Sequence, residues 1–245
     1  VIAPKTSAAT ASNRATAVAM TNATPGRHFV DYLESVKCSD SIVRGLMDPR
    51  CARVITDWIG AQNPHFKQNH WKLLFRASED GFSNEALVKQ LVTSDIRYEY
   101  TRFVILIRLK NGAIFGAVVS RPQIEIPLTD DKAFLFSLRT EKGKTLTVFP
   151  IKPEKASQAL LVSNEGLVFG GGVDLFIDLR EGGLSHSVGL GFTYQLPPGI
   201  SFASVRAQRL FTTASPPWDI EEAEVYTYLD SREYNELEKT HKADR

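Results

Sequence analysis

Three consecutive glycines, Gly170-Gly171-Gly172, stand between two apolar segments that both read as strands, and no feature of the chain constrains its fold more. Upstream runs Leu161-Val162-Ser163-Asn164-Glu165-Gly166-Leu167-Val168-Phe169; downstream, Val173-Asp174-Leu175-Phe176-Ile177-Asp178-Leu179 alternates at period two like a half-buried strand. A flexible linker would be Gly/Ser-rich without such flanks, and a dinucleotide fingerprint would open a helix. The expectation is a bulge or a close backbone approach inside a sheet.

The rest of the chain carries the same period. Strand candidates are Trp71 to Phe75, Phe103 to Leu109, Ala113 to Ser120, Ala133 to Arg139, Thr145 to Ile151, Ala159 to Ser163, Gly166 to Phe169, Val173 to Leu179 and Ile220 to Leu229. Asn111-Gly112 between two apolar runs predicts a tight hairpin with positive φ at both turn positions. Helical spacing is confined to the N-terminal part and one later segment. Phe29, Val30, Leu33 and Val36 form one stripe; Ser41 caps Ile42 to Met47; Val54, Ile55, Trp58 and Ile59 share a face that packs on a sheet. Ser83 caps a helix carrying Ala86, Leu87, Leu91 and Val92. Many strands with hairpin-length links and few helices predict an α+β fold, a two-sheet antiparallel β-sandwich flanked by helices.

Charge and composition exclude several classes. With 29 basic and 28 acidic residues the net charge is +1, which argues against a binder driven by phosphate neutralisation, so no nucleic acid is expected as partner. Residues 219–245 hold nine acidic and four basic side chains, which reads as a solvated acidic helix or a docking tail. Cys38 and Cys51 lack any C-x-x-C or H-x-x-x-H company, so neither a disulfide framework nor structural zinc is expected. No apolar run approaches the ~20 residues that span a bilayer. Residues 1–30 contain eight Ala, seven Ser or Thr and no acid, like a disordered tail or a transit-peptide remnant. The reading is a cytoplasmic chain, peripheral on an organelle membrane complex or imported through that segment. It divides into a low-complexity tail 1–27, a domain 28–229 and a charged end 230–245.

Motifs that resemble catalytic signatures fail on spacing. Gly143-Lys144-Thr145 has Leu138 where a Walker A loop needs glycine, and a strand follows instead of a helix. Gly183-Leu184-Ser185-His186-Ser187 has Ser187 where a nucleophile elbow needs glycine, and it reads as a polar loop. Asp174 and Asp178 on one strand face would stand ~13 Å apart, too far for a glycosidase pair. The histidines His28, His65, His70, His186 and His241 show no metal spacing, and Asp130-Asp131 and Glu221-Glu222 would diverge or sit in solvent. No catalytic residue, metal ligand or cofactor is expected.

Five blocks carry a family resemblance: His70-Trp71-Lys72-Leu73-Leu74-Phe75-Arg76-Ala77-Ser78-Glu79-Asp80-Gly81-Phe82-Ser83, Asn111-Gly112-Ala113-Ile114-Phe115-Gly116-Ala117, Phe134-Leu135-Phe136-Ser137-Leu138, Ser163 to Gly172, and Ile220-Glu221-Glu222-Ala223-Glu224-Val225-Tyr226. In this order they resemble the TLDc domain of the oxidation-resistance protein family, over roughly Ile42 to Tyr228. The resemblance implies a β-sandwich flanked by helices, protection against oxidative stress, and binding to peripheral subunits of the vacuolar-type proton-pumping ATPase (V-ATPase). It implies no established enzymatic mechanism. Glu165 matches the acidic position of the Asn-Glu block, Gly170, Gly171 and Gly172 the glycine run, and Glu224 the acidic residue of the closing strand. These are the partner-binding candidates, with packing as the alternative role: Glu165 accepting backbone N–H groups and the glycines permitting close contact. Val188 stands where many members carry cysteine, so no peroxide-reactive thiol occupies that place, and Pro197 to Ser215 is longer than the usual link, a private contact surface.

The functional expectation is a non-catalytic protein-interaction module that binds or regulates a large assembly such as the V-ATPase. The alternatives are an accessory subunit of another cytoskeletal or organellar complex, and an enzyme with unrecognised hydrolase or redox chemistry.

Overall fold

The run Phe103-Val104-Ile105-Leu106-Ile107 is apolar at every position, the mark of a strand covered on both sides. In the computed structural model, which describes Ile55 and residues 69–93, 102–120, 122–139, 145–202 and 204–230, this run lies inside a six-stranded antiparallel sheet. That sheet comprises β1 (Asn69–Arg76), β2 (Arg102–Leu109), β3 (Ile114–Ser120), β4 (Phe134–Arg139), β5 (Thr145–Pro150) and β9 (Ile220–Asp230), in the order β1-β9-β2-β3-β4-β5. The last strand thus enters between the first two, pairing Leu73 with Tyr226 on one side and Val104 with Tyr226 on the other.

A second, three-stranded sheet holds β6 (Leu161–Ser163), β7 (Gly166–Phe169) and β8 (Leu175–Ile177). Alternation decides what meets between the sheets. Phe103, Ile105, Ile107, Phe115, Leu135, Phe149 and Val225 from the large sheet share one core with Val162, Leu167, Phe169, Leu175 and Ile177 from the small one. Val104, Leu106, Val118, Phe136 and Tyr226 alternate to the other face and are buried as well. Ile55 is helical and 0% exposed.

Helices cover what remains. The one-turn helix α1 (Ala77–Asp80) leads to α2 (Asn84–Thr93), whose Leu87, Val88 and Leu91 join the core. Ser83 caps α2 as expected, its Oγ accepting from Ala86 N at 3.0 Å. A 3-10 turn at Pro153–Gln158 and the short helix α3 (Val205–Gln208) carry no apolar period long enough to read in the sequence. The N-terminal tail, the helical stripes other than Ile55, the Glu141 to Lys144 turn and residues 231–245 lie outside the described residues.

Two expectations about turns are corrected. Between β2 and β3 the loop is Lys110-Asn111-Gly112, closed by Gly112 N to Leu109 O (2.8 Å) and Leu109 N to Ala113 O (2.9 Å). Three loop residues need a left-handed backbone only at the last, so Gly112 alone has positive φ, 82°, and Asn111 does not. The glycine run forms no bulge within a strand. It is the turn joining β7 to β8, with φ of 62°, 65° and 82° at Gly170, Gly171 and Gly172, conformations that cost an L side chain about 1–2 kcal/mol each.

Gly116 of β3, by contrast, is required for space. A Cβ there would overlap the Ile105 carbonyl oxygen and approach Phe136 Cζ to 2.8 Å. Gly116→Ala is expected to cost at least about 1–3 kcal/mol as an overpacked core position. Gly171→Ala, with nothing within 4 Å of the added methyl, pays only the backbone term of about 1–2 kcal/mol. Thermal unfolding followed by circular dichroism ranks the two; a Gly116→Ala chain melting at or above Gly171→Ala would contradict the register of β2, β3 and β4.

Candidate interaction surface

A carboxylate inside a protein must be given hydrogen bonds, and two such groups organise the loops around the small sheet. Asp174 and Asp178 flank β8, because the chain leaves the strand at both ends; neither lies within the strand, where the alternation of 173–179 placed them on one face. Asp174 is 0% exposed. Its Oδ1 accepts from Gly191 N (2.7 Å) and Phe192 N (3.0 Å), and its Oδ2 from Thr193 N (2.7 Å). Ser187 Oγ donates to the Asp174 carbonyl at 2.6 Å. Gly170 packs against the same carboxylate so closely that any Cβ would overlap it. Burial pushes the Asp174 carboxyl above its ordinary range, against the pull of those backbone N–H groups.

Asp178 ties the other side. Its oxygens accept from Asn84 Nδ2 (2.9 Å), from Arg180 Nε (2.9 Å) and Nη2 (2.8 Å), and from Arg180 N (3.1 Å). Ser185, fully buried, closes the loop by accepting from Asp178 N and donating to Asp178 O. Asn84, the first residue of α2, also accepts from Leu179 N and donates to Asn164 O, so helix, loop and hairpin tip meet on one amide. Burial alone would raise the Asp178 pKa, but the hydrogen bonds from Arg180 and Asn84 and the guanidinium charge outweigh it and hold it at about 2.

The partner-binding candidates fall in three different places. Glu165 sits at the tip of the β6–β7 hairpin with its side chain 78% exposed and 3.5 Å from Arg180 Nη2. It accepts no backbone N–H here; Glu165 N itself donates to Ser163 Oγ. Gly170 is buried against Asp174, while Gly171 is exposed. Glu224 is 1% exposed within the large sheet, where it pairs with Arg76 Nε at 2.8 Å and accepts from Tyr226 OH at 2.7 Å. Glu165 and Glu224 therefore form no common patch. Tyr226 is pushed well above the ordinary phenol range, first by burial and then by Glu224.

Other polar residues are engaged in the same structural way. Asp130, expected in solvent or diverging from Asp131, is 5% exposed, pairs with Arg102 Nη1 at 2.6 Å and accepts from Ser120 N. His186 Nδ1 lies 2.6 Å from Leu184 O. Among the described residues no three of His, Cys, Asp and Glu come together as metal ligands, and no helix is long and apolar enough to cross a membrane. The anchors Asp174, Asp178, Ser185 and Asn84 were not singled out as such by sequence reasoning; their one signal was acidic residues bracketing an apolar triplet.

Compared with known protein families, residues 44–228 match the family described as the TLDc domain. No curated protein matches the chain.

Two expected outcomes test the anchors. Asp174→Ala leaves the N–H groups of Gly191, Phe192 and Thr193 without their acceptor and is expected to lower stability by at least about 1–3 kcal/mol in urea unfolding at neutral pH. Asp178 has a folded pKa of about 2, below its unfolded value, so its contribution is present above that unfolded value and is lost as pH falls through about 2. Arg180→Gln removes the charge that depresses it, and the acid limb of a Tm-versus-pH curve should move to higher pH. An unmoved acid limb would show that Arg180 does not set this titration.

Proposed function

The chain belongs to the TLDc domain family, and from that premise we propose that it is a non-catalytic protein-interaction module that binds or regulates a large assembly, the V-ATPase being the first candidate. The observation that carries this reading is the hairpin tip. Glu165 projects into solvent from a hairpin tip whose Asn164 carbonyl accepts from Asn84 Nδ2, and its carboxylate lies 3.5 Å from Arg180 Nη2. A charged group held out on a rigid element is suited to recognition, because little conformational freedom is lost when a partner takes it.

The same geometry weighs against the enzyme alternative. The hydroxyl of Ser185 donates to the Asp178 carbonyl, and the carboxylates of Asp174 and Asp178 are saturated with donors from their own loops. These groups hold the fold, and a nucleophile or base must instead face a substrate. On this reading a link to oxidative-stress resistance runs through the bound assembly. Gly170 to Gly172 shape the turn at the far end of β7 from the tip, and Glu224 is engaged within the large sheet.

The test is direct binding to the purified peripheral sector of the proton pump. The chain should co-elute with it and change its ATP hydrolysis rate. Glu165→Lys should weaken that binding by about tenfold, as reversal of a charge at an interface does, with Tm unchanged. If the chain ignores the pump sector yet copurifies natively with a cytoskeletal or organellar assembly, the accessory-subunit alternative replaces this one.

A further inference from the structure

Asn111-Gly112 is the only Asn-Gly step in the chain. Such a step is the one most open to deamidation, because glycine has no Cβ to keep its backbone nitrogen away from the preceding side chain. In that reaction the nitrogen of Gly112 forms a bond to Cγ of Asn111, the bond from Cγ to Nδ2 breaks, and ammonia leaves with the proton that Gly112 N gives up. Water then opens the cyclic imide at either carbonyl, leaving aspartate or isoaspartate. Asn111 and Gly112 are both exposed on the β2–β3 loop, so water reaches them.

In the folded chain each polar atom that the reaction needs is engaged. Gly112 N donates to Leu109 O at 2.8 Å, Asn111 Oδ1 accepts from Ala113 N at 3.1 Å, and Asn111 Nδ2 donates to Thr212 Oγ1 at 2.8 Å. The first two contacts belong to the hairpin itself. The third comes from 101 residues further on. Thr212 is 3% exposed and its Oγ1 also accepts from Ala214 N at 3.1 Å, so its own loop sets its position. Lys110 N donates to Asp219 O at 3.0 Å, which ties the far end of the same segment to the hairpin. Attack on Cγ requires the Asn111 side chain to turn toward Gly112 N, and a side chain pinned at both its oxygen and its nitrogen must first lose those bonds.

We infer that Asn111 is a latent deamidation site and that Thr212 is a positioning residue that keeps it closed. Conversion replaces the Nδ2 donor with a carboxylate oxygen, which has no proton to give to Thr212 Oγ1. The isoaspartate product also adds a backbone carbon to the loop that Leu109 N and Ala113 O close. The change runs one way, so it marks chains in which residues 212–219 have come away from the hairpin. The inference does not depend on the interaction-module reading.

The experiment is peptide-map mass spectrometry of the full chain, incubated folded and in urea at mildly alkaline pH, with aspartate and isoaspartate at position 111 separated by chromatography. In urea Asn111 should convert ahead of the other asparagines. Folded, it should convert at a small fraction of that rate. Thr212→Val removes the acceptor and should speed conversion in the folded chain about two- to tenfold, the range that one hydrogen bond of ordinary strength supports. Thr212→Ser keeps the oxygen and should hold the parent rate. Because Thr212 is buried, its loss also lowers stability; Ser83→Ala, which removes the cap of α2, is the control, with each chain held the same interval below its own Tm. That control should leave position 111 at the parent rate. An equal acceleration by Ser83→Ala would assign the effect to global unfolding and overturn the role of Thr212. A folded rate equal to the rate in urea, or a Thr212→Val chain that converts no faster than its parent, overturns the inference as well.

Discussion

The carboxylate of Asp174 is the interaction on which the small sheet and its loops depend. It lies in the interior with its oxygens filled by three successive backbone N–H groups of residues 191–193. That arrangement requires the chain to turn sharply just before it, and the left-handed turn of Gly170 to Gly172 does so. It also requires that no side chain occupy Gly170, whose Cβ position is taken by the carboxylate. Turn, anchor and loop are therefore one unit. Loss of the acceptor would leave buried donors unpaired, a larger penalty than the bond itself is worth.

Much of the fold was legible because period-two patterning survives wherever one face meets a core. The nine strands among the described residues all match segments read as strands in the sequence, some by alternation and others, like β2, by an unbroken apolar run. Legibility failed where conformation depends on contacts distant in the chain. Asn111-Gly112 has the residues of a two-residue hairpin, but the strands pair Arg108 with Ile114 and leave a longer loop, which moves the left-handed position to Gly112 alone. The glycine run stands where a bulge could also stand; only the partner of Asp174, seventeen residues further on, distinguishes a turn from a bulge.

The candidate site was legible in part, for a related reason. Sequence spacing places Glu165 close to the glycines, and the structure separates them by the length of β7. It cannot tell an exposed acid from a buried one. Glu165 and Glu224 look alike as acids next to strand residues, yet Glu224 alternates to the face that holds Arg76 and Tyr226 and is consumed there. The anchors at Asp174 and Asp178 were visible as an acidic pair four apart, but their donors come from Asn84 and from loops with no pattern of their own.

These placements separate two kinds of polar residue. Asp174 and Asp178 at the ends of β8 and Glu224 within β9 face inward and hold backbone or side chains, so changing them alters stability first. The side chains of Leu184, Val188 and Val205, by contrast, lie in water although each is a good core residue. Stability gives no reason for an aliphatic side chain at such positions. The loops that carry them are nonetheless fixed from beneath by Asp174, Asp178 and Ser185. A rigid support under an apolar rim is a costly way to build a solvent surface, and an understandable way to build one that meets another protein.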